Sequence, residues 1–92
     1  MRENVEKPVL SRAIIRGKTH YYEYEAAMEL LELCHKNGLP ILGVDSFIVT
    51  KTRTQPLMEH SIDLSNCKNS YETAIAFLNQ KREYGFVFEV VY

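Results

Sequence analysis

Four carboxylates, Asp45, Glu59, Asp63 and Glu89, are the residues of this 92-residue chain best placed by type and spacing to do chemistry. They fall in three stretches that read as β-strands, residues 41–49, 58–64 and 86–92. Side chains two apart on a strand share a face. All four carboxylates occupy odd positions, beside Phe47, Val87 and Val91, whereas the even positions hold Leu42, Val44, Ile48, Met58, Ile62, Phe86, Phe88 and Val90. The even face reads as the core side and the odd face as an acidic and apolar surface. Clustered carboxylates can bind a hard cation, move a proton or steer a basic partner. Here they are spread over three strands without a ligand-rich loop, so no metal site is expected. The pattern instead points to a basic protein as partner, contacted by Asp45, Phe47, Glu59, Asp63 and Glu89.

Other chemistries lack their residues. The glycines at 17, 38, 43 and 85 are isolated, so no phosphate-cradling loop forms. There is no nucleophile elbow and no HExxH. His20, His35 and His60 are scattered. A dyad of His60 with Asp45 or Asp63 is conceivable, but the parity count sets His60 on the opposite face from both, against the geometry a general base needs. Cys34 and Cys67 form no CxxC and have no paired histidines, so they read as a core thiol and a loop thiol. The chain is expected to be no enzyme and to use no cofactor.

Net charge is −1, unevenly distributed. Residues 1–20 are basic on balance, and residues 21–38 carry Glu23, Glu25, Glu29 and Glu32 against Lys36. The helix face of Glu25, Glu29 and Glu32 is therefore a rival acidic surface. Single-strand RNA readers on open sheets use aromatic platforms and basic groups. The stretch 57–63 lacks that signature and would repel phosphate, so direct nucleic-acid binding is not expected. No apolar run is long enough for a membrane span, and the charged N-terminus lacks a secretory apolar stretch, so a cytoplasmic location is expected. The length suits one domain over residues 1–92. Oligomeric state is left open.

The elements that must position the carboxylates are legible in outline. Residues 21–37 read as a helix, with Tyr24, Ala27, Leu31 and Cys34 at spacings of three and four, stopped by Gly38 and Pro40. Residues 70–82 read as a second helix, with Asn69 and Glu72 as a capping box and Ala74, Ile75, Phe77 and Leu78 on its apolar side. Residues 9–15 fit either a strand or a short helix. The fold class is α+β, with two helices on one face of an antiparallel sheet. If residues 9–15 are a strand, the order is the ferredoxin-like β-α-β-β-α-β. The expected core is Leu42, Val44, Ile48, Ile62, Phe86, Phe88, Tyr24, Leu31, Ile75 and Leu78.

The run Tyr24-Glu25-Ala26-Ala27-Met28-Glu29-Leu30-Leu31, followed by Gly38-Leu39-Pro40-Ile41-Leu42-Gly43-Val44-Asp45, resembles the immunity-protein-40 family of bacterial polymorphic toxin systems, known from contact-dependent inhibition. The resemblance lies in a helix with a Tyr-Glu-x-Ala start, a tight Gly turn and an Ile-Leu-Gly-x-Asp strand. It implies a small cytoplasmic protein that binds and neutralises one cognate toxin delivered by a neighbouring cell. Many such toxins are basic nucleases, which the acidic face suits. A small ferredoxin-like ligand-binding regulatory domain, dimeric through its sheet, is the competing expectation.

Overall fold

The computed structural model describes residues 5–92. A 3-10 turn, Leu10–Arg12, leads into a short hairpin of β1 (Ile14–Arg16) and β2 (Thr19–Tyr21). Helix α1 spans Tyr24–Lys36, β3 Gly43–Val49, β4 Thr54–Asp63 and α2 Ser70–Lys81. A second 3-10 turn, Arg82–Tyr84, joins α2 to β5, Val87–Val91. Residues 9–15 thus divide between a 3-10 turn and the start of a strand.

Each helix end has a local cause. The three-four spacing of α1 buries Ala26, Ala27, Leu30, Leu31 and Cys34. The helix closes because Gly38 takes φ +69, which lets the Leu39 N–H reach back to the Cys34 carbonyl at 2.9 Å. Helix α2 starts after Asn69 as expected, but Asn69 makes no side-chain capping bond, so the capping box is not formed. Its carbonyl accepts the Thr73 N–H at 3.0 Å instead.

The sheet is antiparallel in the order β4-β3-β5. The β1-β2 hairpin joins its far edge where Tyr22 and Phe88 exchange N–H···O bonds of 2.8 and 2.7 Å. The chain therefore follows β-α-β-β-α-β in outline, with a hairpin in place of the first strand. The ferredoxin-like order sets the first and third strands of that succession at the centre. Here β3, the second, is central between β4 and β5. Both helices bury their apolar residues in one core with Val44, Phe88 and Val90 from the even face. Val44, Leu31, Leu78 and Phe88 are fully enclosed, and Tyr24, Ile62, Ile75 and Phe86 pack partly buried against them.

Three even-numbered residues depart from the expected core, each for a physical reason. Val44 pairs with Ile62, but Ser46 pairs with Leu57, so two steps along β3 span five along β4. The excess of three residues is a bulge, and an odd excess exchanges the faces of the strand. Leu57 accordingly turns inward at 9% exposure and Met58 outward at 80%. Leu42 precedes β3, outside its alternation, and is exposed. Ile48 is exposed because the buried stretch of β3 ends at Ser46, and the hairpin end runs on past the helices.

Candidate functional site

The bulge is held by two serines. Ser46 is fully buried, a polar residue in the middle of a core-facing strand. Its hydroxyl donates to the His60 carbonyl at 2.5 Å, and its N–H donates to Ser61 Oγ at 3.1 Å. The Ser61 hydroxyl donates in turn to the Leu57 carbonyl at 2.9 Å. The carbonyls of Leu57 and His60 are thus hydrogen-bonded by side chains where the bulge interrupts the strand pairing, which lets a bulge persist inside a sheet. Close by, Gly43 leaves room for β4: a Cβ there would stand 3.0 Å from the Ile62 carbonyl oxygen.

On the outer face, beside this bulge, lies a shallow depression of about 340 Å³. Leu42, Met58, Ile62 and Val91 form its apolar walls, and Asp45, Ser61 and Asp63 its polar groups. Burial pushes the Asp45 carboxyl above its ordinary range; the nearby Ser61 hydroxyl, whose one proton is directed at the Leu57 carbonyl, opposes this only in part, and the Asp63 charge adds to it. Asp63 is shifted down, because the Ser65 N–H donates to it at 3.0 Å and the Ser65 hydroxyl adds a second bond. Glu89 stands directly opposite Asp45 in the β3–β5 register.

The structure therefore brings Asp45 and Asp63 to one depression and sets Glu89 across the strand from Asp45. Glu59 is exposed within the bulge, where the bulge and not the odd count decides its direction. Phe47 is half-buried, its ring 4.7 Å from that of Tyr21 in an edge-on arrangement. The β1-β2 hairpin lies over this end of the face, and Arg16 fastens it by donating to the Thr50 carbonyl at 2.6 Å. The most exposed apolar residue lining the depression is Met58, which the parity count assigned to the core.

His60 has neither aspartate as partner. Its Nδ1 lies 3.0 Å from Lys81 Nζ, and its ring packs against Tyr84 and Phe86. An ammonium group only donates, so Nδ1 is the acceptor and is unsuited here to a carboxylate dyad. Among the described residues no group of three metal-ligating side chains is assembled.

A second polar cluster escaped the sequence reading. Glu6, 9% exposed, accepts the Tyr22 hydroxyl at 2.6 Å and His20 Nδ1 at 2.9 Å on one oxygen, and the Tyr92 hydroxyl at 2.5 Å on the other. Burial alone would raise its carboxyl. The bonds from Tyr22, Tyr92 and His20 and the charge of His20 outweigh burial, and the net shift is downward. Burial and then the Glu6 charge push the Tyr22 phenol up. The cluster borders a cavity of about 250 Å³ that Lys18, Leu30, Glu89 and Val90 also line. The only trace in sequence is Val5 and Val9 flanking Glu6 four apart, both of which enter the core.

No described helix is long and apolar enough to cross a membrane. Compared with protein-family models, with curated proteins and with solved structures, the chain matches none.

Proposed function

We propose that this protein acts by stoichiometric binding, without turnover, and that its outer sheet face docks a basic protein. The immunity reading supplies the biological role: the partner is a cognate bacterial toxin, a basic nuclease by that resemblance, neutralised in the cytoplasm. The observation that carries the binding mode is the pairing, in one depression, of Met58 at 80% exposure with Asp45 and Asp63. Interfaces take their energy from a few desolvated apolar anchors and their association rate and partner choice from complementary charge. Met58 supplies the first, and Asp45, Asp63, Glu59 and Glu89 supply the second.

The test takes the protein encoded by the gene adjacent to this one and measures association and dissociation kinetics with it across ionic strength. The expected result is a one-to-one complex whose association slows with salt and with Glu59→Lys or Asp63→Lys, while Met58→Ala chiefly speeds dissociation. Absence of a complex would sink the reading. Losses confined to variants at Glu25, Glu29 and Glu32 would move the interface to α1, where Glu29 is already paired with Arg12 at 2.6 Å.

A second reading, a small-molecule regulatory domain, finds support in the cavity beside Glu6, Lys18 and His20. At about 250 Å³ it lies below the usual range of ligand pockets, which start near ~300 Å³. Thermal stabilisation by a metabolite, lost in Lys18→Ala, would favour that reading over toxin binding.

A further inference from the structure

We infer that the depression over the β4 bulge receives one long cationic side chain, a lysine or arginine, from the partner protein. The inference rests on the binding reading above and names the chemistry of its central contact. At about 340 Å³ the depression lies at the small end of ligand pockets, which suits a single inserted side chain. Its two halves match the two halves of such a residue. Leu42, Met58, Ile62 and Val91 offer apolar surface to a methylene stem, and Asp45 with Asp63 offers carboxylate oxygens to the head group. Long basic side chains bind in this divided way, stem on apolar surface and charge at the polar end.

Charge complementarity selects this occupant. A carboxylate has about four lone-pair sites. Asp45 is partly withdrawn from water, and the like charge of Asp63 acts on it. A cation relieves both at once. An anionic guest adds to the repulsion, and a purely apolar guest covers the carboxylates without pairing them. The bulge gives the depression its shape: without the three extra residues Met58 would point into the core, and Ser61 would not stand near Asp45 while donating to the Leu57 carbonyl. Ser46 and Ser61 are therefore positioning residues for this contact.

The experiment uses the protein alone, labelled with ¹³C at the methionine methyls and titrated with n-butylguanidinium, an aliphatic stem carrying a guanidinium. Butanol and butyrate are the controls. Met58 reports on the depression, and Met28, partly buried on α1, serves as the internal reference. The expected result is a saturable shift of the Met58 methyl with Met28 unmoved, weakened about tenfold by Asp45→Asn and by a smaller factor by Asp63→Asn. Circular dichroism verifies that each variant is folded. An unmoved Met58, an equal response to butyrate, or an undiminished response in both aspartate variants overturns the proposal. So does a Met58 shift that follows protein concentration without the probe, which would assign the surface to a second copy of this chain. If the probe binds as expected and the protein encoded by the adjacent gene forms no complex, the binding reading fails and the chemistry of the depression stands. If that complex forms and is indifferent to Asp45→Asn while the probe does not bind, this inference alone fails.

Discussion

Glu6 and Asp45 are both carboxylates drawn partly or wholly out of water, yet the fold treats them in opposite ways. Glu6 is met by two tyrosine hydroxyls and a histidine and has its pKa lowered. Asp45 has burial and the Asp63 charge set against one nearby serine hydroxyl and has its pKa raised. The difference is one of supplied donors. A buried charge contributes to stability when its acceptor sites are filled from within the protein and costs stability when they are left to a weak donor. Glu6 ties the N-terminal segment to β2 and to the last residue of the chain. Asp45 sits half-buried on the outer face with one nearby hydroxyl, and in the binding reading proposed above a partner's cation completes the site.

The largest effect expected from breaking this contrast is at Glu6. Glu6→Ala strands two tyrosine hydroxyls, and charge-assisted hydrogen bonds are the strong ones, so a loss of about 3 kcal/mol is expected in urea unfolding. A loss below about 1 kcal/mol would mean the cluster does not hold the N-terminal segment. The two carboxylates should also give opposite pH slopes. With its folded pKa below the ordinary 4.5, Glu6 contributes stability that is present above 4.5 and lost as pH falls through the folded value. With its folded pKa above the ordinary 3.8, Asp45 costs stability at neutral pH, and the cost disappears as pH falls through the raised value toward 3.8. Unfolding measured between neutral and acid pH should therefore show a shallower acid loss in Glu6→Gln and a steeper one in Asp45→Asn than in the wild type.

Next in size is Phe47→Ala. Packed edge-on against Tyr21 beneath the hairpin, this ring should contribute about 2 kcal/mol to folding. Its removal should lower the thermal midpoint more than it changes dissociation of a bound partner. The reverse outcome would make Phe47 an anchor of the interface after all.

Ser46→Ala removes the hydroxyl that satisfies the His60 carbonyl inside the fold, at an expected cost of about 1–2 kcal/mol. Amide exchange along residues 57–61 should quicken in the same variant. Unchanged exchange there would show that the bulge persists without its serine.

The smallest effect has the opposite sign. Asp45→Asn removes a charge that the folded state disfavours, so the protein should gain stability, by less than about 1 kcal/mol because the group remains partly solvated. Partner affinity should fall in the same variant. A residue whose loss stabilises the fold and weakens binding is the signature of a site kept for function at the expense of stability. A destabilised Asp45→Asn would place this carboxylate with Glu6 among the structural ones.

Much of the fold was legible because it depends on short spacings. The three-four recurrence from Tyr24 to Cys34, the stop at Gly38, the helix before Gly85 and the terminal strand all appear in the structure within a few residues of where the sequence places them. So does the even face through Val44, Phe88 and Val90. Alternation reads one strand at a time, and it holds while the strand stays regular. It failed at Met58, because a bulge of odd excess exchanges faces, and the hydroxyls that hold this bulge, Ser46 and Ser61, lie 15 positions apart on different strands. The Glu6 cluster was out of reach for the same reason. Its partners stand 14, 16 and 86 positions away, and no local pattern ties a glutamate near one end of the chain to a tyrosine at the other. Sequence by itself determined which residues are apolar, at what period, and where the chain must turn. Tertiary structure alone decided which carboxylate is satisfied and which stays open, because that depends on which donors the folded chain brings within hydrogen-bond distance.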